Sequence, residues 1–160
     1  MKLLVLGAGG LLGSVLVERC LDRSINVVGT YHTDEPSFET ELEQHDIRDT
    51  AGFETLLNEY QPEFVVNCAA LTDVDGCESD REAALEINGT APGKLAGMCA
   101  THGVRFAHVS TDYVFDGEAA TPYGETAPTG PIQVYGESKL AGEKSVWEAT
   151  DEALITRLSF

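Results

Sequence analysis

The sequence predicts an α/β domain in which a parallel β-sheet is covered by helices on both faces. Short, mainly apolar runs alternate with amphipathic segments along nearly all of the 160 residues. Runs of this kind are typical of strands that are buried on both faces, and the segments between them carry apolar residues at helical spacing. Right-handed crossovers make such a sheet doubly wound, and the length fits one domain, residues 1–160.

The first half of the chain supplies four predicted strands and two predicted helices. The strands lie at residues 2–6, 25–28, 43–47 and 64–67. The first helix covers residues 11–22, where apolar residues recur every three or four positions. The second helix begins after the capping residue Asp49 and runs to Tyr60, and Pro62 ends it.

The second half continues the alternation. A long helical stretch is predicted from residue 79 to residue 102, and Gly103 closes it. Asn88-Gly89 and Pro92 interrupt this stretch, so we expect a kink or two helices. A strand at 104–109, a loop at 116–133, a helix at 135–150 and a sixth strand at 153–158 complete the domain.

The charge balance excludes two classes of partner. The chain has 27 acidic and 10 basic residues, for a net charge of −17. Nucleic acids and anionic membrane surfaces attract Lys and Arg, so we expect neither as a partner. The stretch from Asp34 to Glu63 is the most acidic, and Arg48 is its only basic residue. Two interpretations of the acidity stay open: an ordinary solvated face, or adaptation to high salt.

The four cysteines favour a reducing compartment. Cys20, Cys68, Cys77 and Cys99 form no C-x-x-C pair and lie near no pair of histidines at zinc spacing. We therefore expect free thiols, no metal site and a cytoplasmic location. No apolar run approaches the roughly 18 residues of a membrane span, and glycines interrupt the apolar N-terminus, which is predicted as a strand rather than a secretory signal.

A glycine-rich turn joins the first strand to the first helix. Gly7, Gly10 and Gly13 give the pattern G-x-x-G-x-x-G within the sequence GAGGLLG. In a Rossmann-type sheet the first glycine allows the sharp turn, the second lets a pyrophosphate approach, and the third lets helix and strand pack closely. The helix N-terminus then presents free N–H groups to the phosphates. The turn therefore predicts a bound dinucleotide.

The end of the second strand bears on which dinucleotide is bound. An NAD site usually has Asp or Glu there to bond the ribose 2′-hydroxyl, whereas this chain has Gly29-Thr30-Tyr31-His32. The carboxylate that would repel a 2′-phosphate is absent, but so are Arg and Lys. The sequence therefore favours NADP(H) and leaves NAD(H) open.

Three side chains form a candidate catalytic group. Tyr135 and Lys139 lie four residues apart, which places them on one face of a helix. A tyrosine can protonate a carbonyl oxygen that receives hydride, and a nearby ammonium is expected to lower its pKa from about 10. Thr111 follows the fifth strand at its carboxyl end, where ligands bind in open α/β sheets, and could orient the carbonyl. Tyr113 is a rival acid, although no Lys follows it at the same spacing.

The fourth strand also ends in residues suited to a cofactor cleft. Cys68, Ala69 and Ala70 are small and follow the apolar run FVVN. They leave room for the sugar of a dinucleotide, and the alternative is that they are ordinary small core residues.

The succession of GAGGLLG, NCAA, STDYVFDG and YGESKLAGE resembles the extended short-chain dehydrogenase/reductases, and within them the dTDP-4-dehydrorhamnose reductase (RmlD-like) group. The resemblance implies that Thr111, Tyr135 and Lys139 are catalytic. It also implies that the loop residues Gly7, Gly9, Gly10, Leu11, Leu12 and Gly13, together with Tyr31 and Cys68, hold the cofactor. By the same resemblance Asp46-Ile47 contacts adenine, Ala69, Ala70 and Thr72 line the cleft, and residues 72–75 form a substrate-side loop.

The implied activity is reduction of a 4-keto sugar linked to dTDP, on the way to dTDP-rhamnose, with NADPH or NADH. Members of the group continue for about another hundred residues that build most of the sugar-nucleotide pocket, so we expect the chain to resemble their N-terminal part. We therefore expect these 160 residues alone to bind cofactor without catalysing the reaction.

Two alternative functions and one oligomeric state stay open. Related sugar-nucleotide epimerases and dehydratases, which hold NAD tightly, also fit the glycine turn. A non-catalytic regulatory subunit similar to that of methionine adenosyltransferase fits the same motifs. A homodimer is also compatible with the sequence.

Overall fold

A computed structural model describes residues 1–159 and contains a sheet of six parallel strands. These are β1 (Lys2–Leu6), β2 (Asn26–Tyr31), β3 (Glu41–Gln44), β4 (Phe64–Asn67), β5 (Arg105–Thr111) and β6 (Leu154–Leu158). Their order in the sheet is β3-β2-β1-β4-β5-β6, and every neighbouring pair is parallel. The chain builds the sheet outward from β1, first through β2 and β3 on one side and then through β4, β5 and β6 on the other, as in a Rossmann-type sheet. The predicted fold class is confirmed.

Six α-helices connect the strands. They are α1 (Leu11–Asp22), α2 (Thr50–Tyr60), α3 (Val74–Ser79), α4 (Arg81–Ala84), α5 (Ala91–Thr101) and α6 (Val134–Ala149). A π-helical turn at Leu85–Thr90 joins α4 to α5, and a short 3₁₀ turn at Asp112–Val114 follows β5. Among the described residues no helix is both long and apolar enough to cross a lipid bilayer.

Alternate residues of the strands pack into two separate hydrophobic cores, one on each face of the sheet. On one face Leu3, Val5 and Val27 pack with Val17 and Cys20 of α1. On the other face, Leu4 and Leu6 join a larger cluster contributed by α2, α5 and α6, with the fully buried Phe53, Leu95 and Val146. Because successive strand residues point to opposite faces, the mainly apolar runs satisfy both cores at once.

The predicted strand at 43–47 is wrong in its bounds. β3 covers Glu41–Gln44 and pairs with Val28–Tyr31 of β2, which runs three residues beyond the predicted end at Val28. β3 is an edge strand of polar and partly exposed residues, so its hydrophobic pattern is weak. His45 and Ile47 are buried beyond the strand's end, and the imidazole of His45 stacks on the ring of Phe53 with 6.1 Å between centroids. Because these buried residues lie beyond the end of β3, the sequence pattern placed the strand too late in the chain.

The stretch from residue 72 to residue 102 differs from its prediction in two ways. Residues 74–79 form α3, whereas the resemblance assigned residues 72–75 to a loop. The predicted interruption at Asn88-Gly89 and Pro92 is a π-helical turn within a helical path that continues from Arg81 to Thr101. A π-turn leaves backbone groups without regular partners, so Pro92, which has no N–H, is tolerated at the start of α5.

Candidate active site

The glycine turn has the geometry that a pyrophosphate site requires. Gly7 has φ of +80°, and a Cβ there would lie 2.8 Å from the backbone of Ala69. A Cβ on Gly13 would overlap the carbonyl oxygen of Gly7, so α1 can approach β1 only without a side chain there. Gly10 is the N-cap residue of α1 and has no side chain that could accept a hydrogen bond. The first N–H groups of α1 are therefore free. This cradle fits a dinucleotide diphosphate at a helix N-terminus.

A cleft of about 540 Å³ opens from this turn along the carboxyl ends of the strands. It brings together most of the residues predicted to bind cofactor or to catalyse: Gly7, Gly9, Gly10, Leu11, Leu12, Tyr31, Cys68, Ala69, Ala70, Thr72, Thr111, Tyr135 and Lys139. Gly13 is absent from its walls, because it is buried where α1 packs behind the turn.

Asp46 and Ile47, the predicted adenine contacts, line an adjoining cavity of about 250 Å³. The two cavities share Gly7, Tyr31, His32, Ala69 and Ala70, so they border one another across the end of β2. The structure therefore groups Asp46 and Ile47 with the cofactor cleft, and their contact with adenine stays a prediction.

The second cavity also contains Arg48, which the sequence analysis did not assign to the site. Its guanidinium nitrogens Nε and Nη2 donate to the two carboxylate oxygens of Asp46 at 3.0 and 2.6 Å. These hydrogen bonds lower the pKa of Asp46 to about 2. His32 Nε2 lies 3.5 Å from the same carboxylate. Arg48 is 17 residues from Tyr31 in sequence, and only the pairing of β2 with β3 brings it to the end of β2.

The three candidate catalytic residues converge at the far end of the cleft. Thr111 ends β5, and its hydroxyl oxygen accepts a hydrogen bond from the backbone N–H of Tyr113 at 3.2 Å. Tyr135 lies in the first turn of α6, and its ring meets that of Tyr113 edge-on at 5.7 Å between centroids. The hydroxyl of Thr111 also donates to the carboxylate of Asp112 at 3.2 Å, and both Thr111 and Tyr135 line the cleft. The strand end and the helix start therefore present an alcohol and a phenol side by side.

Lys139 lies one helical turn after Tyr135 and is only 2% exposed. Its Nζ donates to the carbonyl oxygen of Val109 at 2.6 Å. Burial lowers the pKa of this ammonium to about 8, against the opposing attraction of Glu143 and of the Cys68 thiol. Conversely, burial raises the pKa of the Cys68 thiol to about 11.

The pKa of Tyr135 differs from the expectation that Lys139 would lower it. Burial raises the pKa of the phenol above its ordinary value, and the neighbouring Thr111 hydroxyl opposes this only in part. In the described residues, the hydrogen bond of Lys139 goes to Val109 rather than to the phenol. The Tyr135 phenol therefore stays neutral at physiological pH, which is the protonation state that a proton donor needs.

Asn88 supports this arrangement and was missed as a site residue. Its side-chain oxygen accepts from the N–H of Leu71 at 2.8 Å, and its side-chain nitrogen donates to the carbonyl of Leu71 at 2.9 Å. The same nitrogen donates to the hydroxyl of Ser138 at 3.0 Å, and that hydroxyl donates to the carbonyl of Tyr135 at 2.7 Å. Asn88 thus ties the segment after β4 to the start of α6. In sequence, Asn88-Gly89 indicated only a break in a helix.

Comparison with known proteins identifies the family of this chain. The family model described as the RmlD substrate binding domain matches residues 1–160. A probable low-salt glycan biosynthesis reductase from Haloferax volcanii is 53% identical over 98% of this chain and 52% of its own length. A dTDP-4-dehydrorhamnose reductase from Mycobacterium tuberculosis is 40% identical over 99% of this chain and 50% of its own length. The chain spans about half the length of these curated relatives.

Solved structures of similar proteins share the fold. A dTDP-4-dehydrorhamnose reductase from Clostridium acetobutylicum has a TM-score of 0.87 and 34% identity, over 99% of this chain and 53% of that one. The Bacillus anthracis enzyme of the same name, in complex with NADP, has a TM-score of 0.84 and 30% identity, over 98% and 52%. WbmG from Bordetella bronchiseptica, in complex with NAD and UDP, has a TM-score of 0.86 and 25% identity, over 99% and 53%.

The family model covers the whole chain, and the motifs of the cleft are those on which the resemblance rests. The chain therefore belongs to the RmlD substrate-binding domain family, within the extended short-chain dehydrogenase/reductases.

Proposed function

We propose that this chain forms the NAD(P)-binding and catalytic domain of a cytoplasmic reductase that acts on a nucleotide-linked 4-keto sugar, as a dTDP-4-dehydrorhamnose reductase does. One observation carries the proposal: Thr111, Tyr135 and Lys139 meet in the same cleft as the glycine turn. The names of the relatives support the choice of substrate class. The four cysteines are free thiols, which suits a reducing compartment.

The side chains divide the reduction between them. A reduced nicotinamide cofactor, held at the glycine turn, would supply hydride for the carbonyl carbon. The Thr111 hydroxyl donates a hydrogen bond to the carbonyl oxygen and aligns it with Tyr135. As the C=O π bond breaks, the neutral phenol of Tyr135 gives its proton to that oxygen and becomes a phenolate. The Lys139 ammonium lies one helical turn after Tyr135 and lines the same cleft, so it would hold the ribose hydroxyls of the cofactor.

The test is an assay of the product of the complete gene. We expect it to purify without bound cofactor and to oxidise added NADPH or NADH when a dTDP-linked 4-keto-6-deoxy sugar is supplied. Loss of nicotinamide absorbance measures turnover. A protein that purifies with bound NAD and interconverts sugar nucleotides without consuming reduced cofactor would instead be an epimerase or dehydratase. Absence of turnover together with a co-purifying partner enzyme would instead identify a regulatory subunit.

We further propose that the cofactor is NADP(H) in preference to NAD(H). The Asp46 carboxylate lies beside His32 and Arg48 in the adjoining cavity. Arg48 neutralises this carboxylate through three hydrogen bonds. Arg48 and His32 therefore leave the end of β2 able to accept a 2′-phosphate. The side chain of Arg48 is also paired with Glu86 at 3.5 Å and remains 40% exposed, so it is accessible to a ligand.

Replacing Arg48 by Ala should weaken NADPH binding by about tenfold, the value of one charge-assisted hydrogen bond, and should leave NADH binding nearly unchanged. The substitution removes a cation and also leaves the Asp46 carboxylate uncompensated, and both effects disfavour a 2′-phosphate. Fluorescence titration of the two reduced cofactors measures the difference. Arg19→Ala, which removes an exposed arginine paired with Asp22 on α1, is the matched control. Equal losses for NADPH and NADH would contradict the proposed preference.

A further inference from the structure

A buried carboxylate lies where α6, β5 and β6 meet, outside the group of residues used so far. Glu143 is 3% exposed. Its Oε1 accepts from the Ser110 hydroxyl at 2.6 Å and from Arg157 Nε at 2.8 Å, and its Oε2 accepts from Arg157 Nη2 at 2.7 Å. One residue of each of three elements therefore meets in a single hydrogen-bonded cluster.

The cluster is continuous with the catalytic residues. Glu143 follows Lys139 by four positions on α6, so the two side chains lie on the same face of the helix. Lys139 bonds the carbonyl of Val109, and Glu143 bonds the side chain of Ser110, the next residue. Thr111 comes immediately after. The ammonium and the carboxylate thus hold adjacent residues of the strand end that presents the Thr111 hydroxyl.

Arg157 extends the cluster toward the loop that follows β5. Its guanidinium lies over the ring of Phe115, 5.1 Å from the centroid, and its Nη1 donates to the carbonyl of Glu125 at 3.4 Å. The ring of Phe115 stacks in turn on Tyr123, with 4.2 Å between centroids. The loop that follows β5 is therefore linked to the same carboxylate through Arg157.

Charge compensation gives Glu143 a second role. A buried ammonium is disfavoured unless an opposite charge lies near it. The titratable groups that face Lys139 are Glu143 and Tyr135 on α6, Cys68 after β4 and His108 on β5. Burial and the charge of Lys139 keep the pKa of His108 well below its ordinary value, and burial raises that of Cys68. Glu143 is therefore the anion that compensates Lys139.

We propose that Glu143 is a positioning residue of the reduction site: its carboxylate keeps Lys139 charged and fixes the Ser110–Thr111 strand end against α6. Its role in turnover rests on the proposed function. Its role in the charge of Lys139 does not, because that charge can be measured in the ligand-free protein.

Lysine NMR provides that measurement. The chain has only four lysines, Lys2, Lys94, Lys139 and Lys144, so ¹³C-labelled lysine gives few signals, and a Lys139→Arg variant assigns the buried one. In the unsubstituted protein the Lys139 signal should titrate near pH 8. In Glu143→Gln, which keeps an acceptor oxygen but loses the charge, it should titrate at lower pH by about one pH unit.

Two further variants test the sign and the specificity of the effect. Glu148→Gln, on an exposed position of the same helix, should leave the Lys139 titration unchanged. Arg157→Gln removes the competing cation from Glu143, so Lys139 should titrate at higher pH. If Glu143→Gln fails to fold, the upward shift expected in Arg157→Gln still tests whether the charges of this cluster act on Lys139. In the product of the complete gene, the alkaline limb of kcat/KM should move in the same direction as the NMR titration in each variant.

An unchanged Lys139 titration in folded Glu143→Gln, or no upward shift in Arg157→Gln, overturns the inference whatever the activity. If the titrations shift as expected but the unsubstituted protein reduces no keto sugar, the inference about Glu143 and Lys139 stands and the proposed reductase function fails.

Discussion

Replacing Tyr135 by Phe is expected to lower kcat for keto-sugar reduction by about 100- to 10,000-fold, the usual contribution of a positioned general acid. Phe keeps the ring that packs edge-on against Tyr113 but removes the only proton that the phenol can give. Cofactor affinity should change by about twofold or less, since Lys139 and the glycine turn are untouched. Single-turnover kinetics and fluorescence titration of NADPH separate the two effects.

Tyr113→Phe is the matched control, because Tyr113 is the rival phenol beside Thr111 and is half exposed. We expect it to retain most of the activity. If instead the Tyr113 variant loses turnover and the Tyr135 variant keeps it, the assignment of the acid is reversed, although the cleft and its cofactor site would stand.

Replacing Gly13 by Ala should destabilise the fold by about 2–4 kcal/mol and abolish cofactor binding. The new Cβ would overlap the carbonyl oxygen of Gly7 and lie 3.0 Å from Ala8 Cα, both of which belong to the turn itself. The start of α1 must then move away from β1, and the N–H groups offered to the diphosphate move with it. Thermal denaturation followed by cofactor titration measures both losses.

Gly10→Ala provides the comparison within the same turn. A Cβ at Gly10 lies 3.4 Å from the Gly7 carbonyl oxygen, an ordinary contact, and its backbone at φ −78° suits any residue. We expect unfolding near the unsubstituted temperature but cofactor affinity lower by about tenfold or more, because the added methyl group occupies the approach of the pyrophosphate. A Gly13→Ala protein as stable as Gly10→Ala would show that close packing at residue 13 is not required.

Sequence patterns were sufficient where one short segment carries the information. The mainly apolar runs at residues 2–6 and 64–67 predict β1 and β4 within their observed bounds, because strands buried on both faces leave a strong signal. The spacing of Tyr135 and Lys139 likewise predicts their common helical face. Their catalytic roles, and the high-salt interpretation of the acidity, stay predictions.

Contacts between distant segments could not be predicted in the same way. Arg48 reaches the end of β2 only through the register of an edge strand whose residues are mostly polar. Asn88 contacts Ser138 across 50 residues, and Glu143 contacts Ser110 across 33. Each of these polar residues has an unremarkable local sequence, so its importance follows from the partners that the tertiary fold provides.

The π-turn at Leu85–Thr90 has a consequence for how this region can change in evolution. A π-turn contains about one residue more than an α-helical turn, so it rotates all later residues by about 100° relative to those before it. Asn88 can therefore point toward Leu71 and Ser138 while α5 keeps Leu95 and Cys99 in the core. A single-residue deletion here would leave a regular helix with one of these two faces misdirected, whereas point substitutions preserve the phase. We therefore expect evolution to conserve the number of residues in this segment more strictly than their identities.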